Sequence, residues 1–203
     1  MKIIAVGMNY REHVSELEEN EEPSEPVLFL KPDSALASDK LPFFLPDFSD
    51  EIHYETEIVV KISKLGKNIA EKFAHRYYDQ FTLGLDMTAR DLQRQARQKG
   101  LPWAVSKGFD QSAVVGRFLP VGQRNMQDLH FHLDINGKTV QKGYTGDMIF
   151  SIDRIVSYAS RFFTLKTGDL IFTGTPYGVG PVHIGDCLEA SLGDEKLLQL
   201  RIK

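Results

Sequence analysis

A chain of 203 residues, 42% of them hydrophobic and 26% charged, with a formal net charge of −4, has the size of one compact domain that buries its own core without staples. Its acidic balance shows no basic face and argues against nucleic acid, whose affinity rests on phosphate neutralisation. The one cysteine, Cys187, excludes an internal disulfide and reads as a small buried side chain; no stretch reaches the roughly 20 apolar residues of a membrane span, so a cytoplasmic protein without a membrane partner is expected.

In chain order, residues 2–6 read as a strand with too short an apolar run for a secretion signal. Residues 10–19 read as a helix, and the six glutamates and Pro23 of residues 16–25 read as a solvated segment; residues 10–25 together make a candidate lid. PVLFLKP predicts a buried strand closed by Pro32, followed by a turn-rich stretch over 33–50 with Pro42 and Pro46. EIHYETEIVVKI alternates and predicts one strand over 51–62. A helix is predicted over 70–78, a strand over YDQFTLGLDM, and a second helix over 88–99 stopped by Gly100 and Pro102. Residues 114–120 and 129–140 read as strands with an Asn136-Gly137 hairpin turn. A helix over 151–162 precedes three more strand-like stretches, DLIFTGTP, DCLEASL and LLQLRI. Strands outnumber helices, so the fold class is α+β, mostly β.

Three carboxylates stand out. Glu55 and Glu57 lie two apart on a predicted strand, so both side chains project from one face, about 7 Å apart. Buried together they would repel, and each would carry a desolvation penalty, which a divalent cation removes; a solvent-facing edge strand with Thr56, Ile58 and Val60 inward explains the pattern equally well. Asp86 ends a strand-like run just before a helix, as a ligand or as that helix's N-cap. Three hard oxygen donors suit Mg2+, Mn2+ or Ca2+ rather than zinc and leave positions open for a chelating substrate. Such a site with its ion sums to about −1, so a dianionic substrate would need further positive charge, with Arg90 and Lys107 as candidates. TGTPYGVGP lacks the phosphate-loop lysine, and its glycines read as turns.

GMNYREH, PVLFLKP, HYETEIVV, GLDMTARDLQ, GLPWAVSKGFD and GDLIFTGTPYGVGP occur in this order and at matching spacing. Together they resemble the fumarylacetoacetate hydrolase family, most closely its short acylpyruvase and oxaloacetate decarboxylase branch, from Val6 to about Glu189. The resemblance implies a mixed β-sandwich roll, a homodimer, and Mg2+ or Mn2+ held by Glu55, Glu57 and Asp86. It implies that Lys107 reaches the metal-bound oxygens of a small keto acid and stabilises an enolate. His13 and Glu16, three apart on a predicted helix and so able to touch, match a lid dyad that activates water. Arg90 and Gln93 match substrate-binding positions, although Arg90 also suits a structural ion pair; a threonine, Thr173 or Thr175, matches a donor to the substrate carboxylate. The implied activity is hydrolysis of 2,4-diketo acids to pyruvate and a carboxylic acid. Oxaloacetate decarboxylation, isomerisation of a 2-hydroxy-2,4-dienoate, and binding of metal and keto acid without turnover are the alternatives.

Overall fold

The computed structural model describes residues 1–12 and 22–203. Among them the chain is mostly β, with three sheets and three α-helices. The largest sheet is assembled from β1 (Ile3–Gly7), β2 (Val27–Lys31), β3 (Leu36–Ser38), β5 (Thr56–Ile62), β6 (Tyr78–Asp86), β8 (Ala113–Val115), β9 (Leu119–Pro120) and β12 (Leu170–Phe172). Its order is β2-β1-β12-β5-β6-β8-β3, with β9 on β6. Two of its pairings are parallel, β1 with β12 and β3 with β8; the others are antiparallel. A three-stranded sheet joins β4 (Ile52–Tyr54), β7 (Thr88–Ala89) and β13 (Gly180–Pro181) in the order β13-β4-β7. An antiparallel four-stranded sheet runs β11-β10-β14-β15, from β10 (His130–Ile135), β11 (Lys138–Tyr144), β14 (Cys187–Leu192) and β15 (Glu195–Arg201).

The two central strands β5 and β6 are buried on both faces. On one face Ile58, Val60, Phe81, Leu83 and Leu85 enter the main core with Leu133, Leu188 and Leu198 of the four-stranded sheet. Helix α3 (Ile152–Phe162) closes that core with Ile152, Ile155, Val156 and Ala159, an i, i+3, i+4, i+7 stripe that is fully buried. Ile152, Ile155 and Val156 each contribute roughly 1.5–3 kcal/mol of burial before entropy is counted. Ser151 caps the helix by accepting the Arg154 N–H at 3.1 Å. On the other face Val59, Phe172, Ile3, Ala5 and Leu170 form a smaller apolar cluster. Glu57 and Glu55 share the parity of Val59, so they extend that second face.

Several predicted elements change in detail. The single strand over 51–62 is broken at Glu55: β4 belongs to one sheet and β5 to another. PVLFLKP is not a buried strand; β2 is the edge of its sheet and Leu30 is exposed. The helix at 70–78 is a 3-10 helix over Glu71–Arg76. The next helix, α1 (Arg90–Lys99), starts two residues later than predicted because Thr88 and Ala89 pair with His53 and Ile52. It ends at Gly100, in the left-handed region. The Asn136-Gly137 turn is as expected, with φ values of 52° and 80° that match the right-handed twist of the hairpin strands. Tyr10 is not helical; it bridges Met148. Arg11 and Glu12 are helical, as expected; residues 13–19 of the predicted helix, most of the lid segment, and both His13 and Glu16 lie outside the described residues.

Candidate active site

The register of β5 against β6 assembles the acidic cluster. Thr56 pairs with Leu85 and Glu57 with Gly84, and the Asp86 N–H donates to the Glu55 carbonyl at 2.9 Å. Asp86 therefore lies opposite Glu55 and diagonal to Glu57, all on one face. Carboxylate oxygens of the three residues fall within 4.8 Å of one another, and all three side chains are buried. Asp86 is not a helix cap, since α1 is flanked by Ala89 and has no side-chain cap bond.

Each carboxylate has distinct partners. The Lys107 ammonium, from the one-turn helix α2 (Ala104–Lys107), donates to Glu55 Oε2 at 2.7 Å, Asp86 Oδ2 at 2.9 Å and Thr88 Oγ1 at 2.7 Å. Arg90 donates from Nη2 to Glu55 Oε1 at 2.7 Å and from Nη1 to Gln93, so it forms an ion pair with Glu55 while bordering the cleft. Lys31, at the end of β2, sits beneath the cluster with its Nζ 2.6 Å from Asp86 Oδ1. It also bonds the Ser112 carbonyl at 3.0 Å, Ser112 Oγ at 3.1 Å and the Lys107 carbonyl. Glu57 receives the Gly174 N–H at 2.7 Å, and among the described residues no ion pair reaches it. Gly174 presents that N–H from φ 95°, and a Cβ there would meet Asn9 at 2.7 Å, so glycine is required.

These environments set the protonation preferences. Burial, with Asp86 and Glu55 beside it, pushes the Glu57 carboxyl well above the usual carboxylate range. Burial lowers Lys31, and Asp86 only partly offsets it. Burial also opposes charge on Lys107, but Asp86 and Glu55 outweigh it and its pKa is raised. The two lysines share Asp86 yet move in opposite directions because Lys107 also hydrogen-bonds Glu55, whereas Lys31 feels Glu55 only weakly and is repelled by Lys107. Burial and the adjacent Arg90 lower His53, which accepts from Arg90 Nε at 3.4 Å and is 2.9 Å from Glu51.

The donor set fits a hard divalent cation. It offers carboxylate oxygens with no nitrogen or sulfur, and Glu57 is a buried acid that no ion pair reaches among the described residues, with the Lys107 charge only partly offsetting its burial. Lys31 alters the charge balance expected from sequence. With Lys31, Lys107 and Arg90 against the three carboxylates, the cluster is near neutral without an ion and cationic with a divalent one, which suits a dianion. Nothing in PVLFLKP distinguished this lysine from one at a solvated strand end.

The cleft above Glu55 has an apolar wall of Val6, Met8, Phe29 and Trp103 and a polar side formed by Arg90, Gln93, Arg97, Lys107 and Thr175. Met8 holds φ 58° there, an uncommon conformation for a residue other than glycine. Thr175 reaches the cleft, while its hydroxyl donates to the Thr56 carbonyl at 2.9 Å and accepts from Gln141 at 2.8 Å. Thr173 is tied into the sheet through the Ile58 carbonyl at 2.8 Å. Of the residues singled out in the sequence, Glu55, Glu57, Asp86, Lys107, Arg90, Gln93 and Thr175 gather in one place; Lys31 and Arg97 were missed.

The model of the fumarylacetoacetate (FAA) hydrolase C-terminal family matches residues 2–202. The mitochondrial oxaloacetate tautomerase of Mus musculus is 42% identical over 99% of this chain and 91% of its own length. The mitochondrial oxaloacetate decarboxylase of Dictyostelium discoideum is 43% identical over 94% of this chain and 88% of its own. Among solved structures, fumarylpyruvate hydrolase from Pseudomonas aeruginosa in complex with Mn2+ and pyruvate superposes with a TM-score of 0.93 at 35% identity, covering 100% of this chain and 89% of that one.

Proposed function

The chain belongs to the fumarylacetoacetate hydrolase family, and from that premise we propose that it is a divalent-metal-dependent enzyme that draws an enolate out of a small 2-oxo acid bearing a second carbonyl at C4. The observation that carries this reading is the convergence of Glu55, Glu57 and Asp86 within 4.8 Å, with Glu55 lining a cleft together with Lys107 and Arg90. A divalent cation in that cluster would supply the Lewis-acid charge that stabilises negative charge developing on the 2-oxo acid. Lys107, buried and charged, aims its ammonium at the same carboxylates and adds a donor for an oxygen that gains charge in the transition state. Arg90 and Gln93, bonded to each other, offer donors along one side of the cleft. The apolar side chains of Phe29 and Trp103 line the cleft beside these groups and lower the local polarity, which strengthens each of these interactions.

Oxaloacetate is the first substrate class. Tautomerisation and decarboxylation both pass through an enolate and need no attacking water, so the charge stabilisation that Lys107 and the metal-loaded cluster would offer serves both, with tautomerisation needing in addition a base for the C3 proton, and relatives at 42% and 43% identity carry those activities in their names. Acylpyruvate hydrolysis is the second reading, supported by the Pseudomonas aeruginosa neighbour; it would need His13 and Glu16 as the base and its partner. An ultraviolet assay with Mg2+ or Mn2+ across oxaloacetate, acetylpyruvate, fumarylpyruvate and a 2-hydroxy-2,4-dienoate separates these activities. Metal-dependent turnover of oxaloacetate is expected. Turnover unaffected by chelator, or none with any of the four, would overturn the proposal. Replacing His13 with Ala is expected to lower hydrolysis about 10²–10⁴-fold while sparing oxaloacetate chemistry.

A further inference from the structure

The Glu55 carbonyl accepts the Asp86 N–H of β6 at 2.9 Å, so the backbone groups of Thr56, next along the strand, point away from β6. On that side β12 covers β5 only as far as Phe172, which pairs with Val59, and the Thr173 N–H, which donates to the Ile58 carbonyl at 3.1 Å. There the chain leaves the ladder, and the Gly174 N–H turns to the Glu57 carboxylate instead. The buried N–H and C=O of Thr56 therefore need partners from outside the strands. Two side chains supply them. Gln141, on the edge strand β11 of the four-stranded sheet, accepts the Thr56 N–H on Oε1 at 3.1 Å. The Thr175 hydroxyl donates to the Thr56 carbonyl at 2.9 Å. Gln141 Nε2 closes the ring by donating to Thr175 Oγ1 at 2.8 Å, and it also holds the Pro176 carbonyl at 2.8 Å. Gln141 and Thr175 are each 2% exposed, so water does not substitute for these bonds.

Resting on the metal-dependent reading above, we propose that Gln141 is a positioning residue of the acidic cluster: it fixes the backbone between Glu55 and Glu57 against the loop over 174–176, and so sets how the two glutamates meet a divalent cation. Thr56 is the one residue between the two glutamates. The loop carries both the N–H that Glu57 receives and the Thr175 side chain that reaches the cleft. A side-chain amide is suited to this place because it accepts from Thr56 and donates twice, to Thr175 and to Pro176; a carboxylate has no N–H to give either of them. Residues that orient the ligands of a metal from behind typically change its affinity 10–100-fold when replaced.

The test is the dissociation constant of Mn2+ alone, measured by titration calorimetry on the full chain at a temperature where circular dichroism shows each variant folded. Q141M keeps the length of the side chain and removes all three of its bonds; T175V breaks the same ring from the other side, and T175S restores the hydroxyl. Q141M and T175V are each expected to raise the Mn2+ constant at least about tenfold, and T175S to stay within about threefold of wild type. Because both residues act through one ring, Q141M/T175V is expected to fall short of the sum of the two single effects. A folded Q141M or T175V that melts lower yet binds Mn2+ within about twofold of wild type would make the ring purely structural and overturn the proposal, as would full additivity in the double variant. If Q141M does not fold, the contrast between T175V and T175S decides. Either failure leaves the metal-dependent reading intact, whereas a wild type that binds no Mn2+ sinks both.

Discussion

Glu57 is the residue on which the acidic cluster turns. Glu55 and Asp86 each have two cationic partners, whereas Glu57 has one backbone N–H. Its folded-state pKa is raised, by burial first and then by Asp86 and Glu55. A raised pKa means that the folded state holds the proton more tightly. The associated stability is full below the unfolded glutamate value of about 4.3 and is lost as pH rises through the folded value. Metal-free protein should therefore melt lower at pH 8 than at pH 5, just above the unfolded value, and Glu57→Gln should remove that part of the slope and raise the metal-free Tm at pH 8. The same substitution should abolish the stabilisation by Mg2+ or Mn2+. In wild type that is about 2.7 kcal/mol at a hundredfold excess over Kd, or about 5–10 °C for a chain of this size. Differential scanning calorimetry with and without metal checks both effects. Lys31 gives a second test. Lys31→Met removes one partner of a buried pair and strands the Ser112 acceptors, which should cost roughly 3–5 kcal/mol in urea unfolding. Glu55 and Glu57 were legible because a period of two is written into the sequence. Lys31 was not, since a lysine at a strand end looks the same whether its ammonium meets water or a buried aspartate.

At the scale of elements, local pattern located most strands and helices, and tertiary pairing moved their boundaries. The alternation over 51–62 is real, but β4 leaves for another sheet at Glu55, and no propensity marks that transfer. The start of α1 shifts because pairing with β4 captures Thr88 and Ala89, residues whose helical reading was locally sound. The three-residue repeat of the helix over Glu71–Arg76 was invisible for the same reason, because the bonds that decide it are few and local energies are close. Within β6, Gly84 stands opposite Glu57. A Cβ there would lie 2.7 Å from Val59 Cγ2 and 2.9 Å from both Phe172 and the Val114 carbonyl. The carbonyl belongs to a paired strand and has little room to yield. Gly84→Ala should destabilise the fold by roughly 1–3 kcal/mol through overpacking, measured as a lower urea midpoint, and should weaken metal binding by displacing β5 from β6.

For the whole molecule, the strand content was legible but the topology was not. The parallel pairing of β1 with β12 joins Ile3 to Leu170, far beyond the reach of any local signal; the roll was expected only because the motifs resembled a family. The convergence of Glu55, Glu57 and Asp86 has the same origin, since Asp86 is brought to Glu55 by a register that no short segment encodes. Among the described residues no helix is long and apolar enough to cross a membrane. The direct test of the acidic cluster as a metal centre is a crystal structure grown with Mn2+, with anomalous scattering recorded at the manganese edge. One strong peak in contact with carboxylate oxygens of Glu55, Glu57 and Asp86 is expected. A peak elsewhere, or no peak while Lys107 still bridges Glu55 and Asp86 at saturating Mn2+, would contradict it.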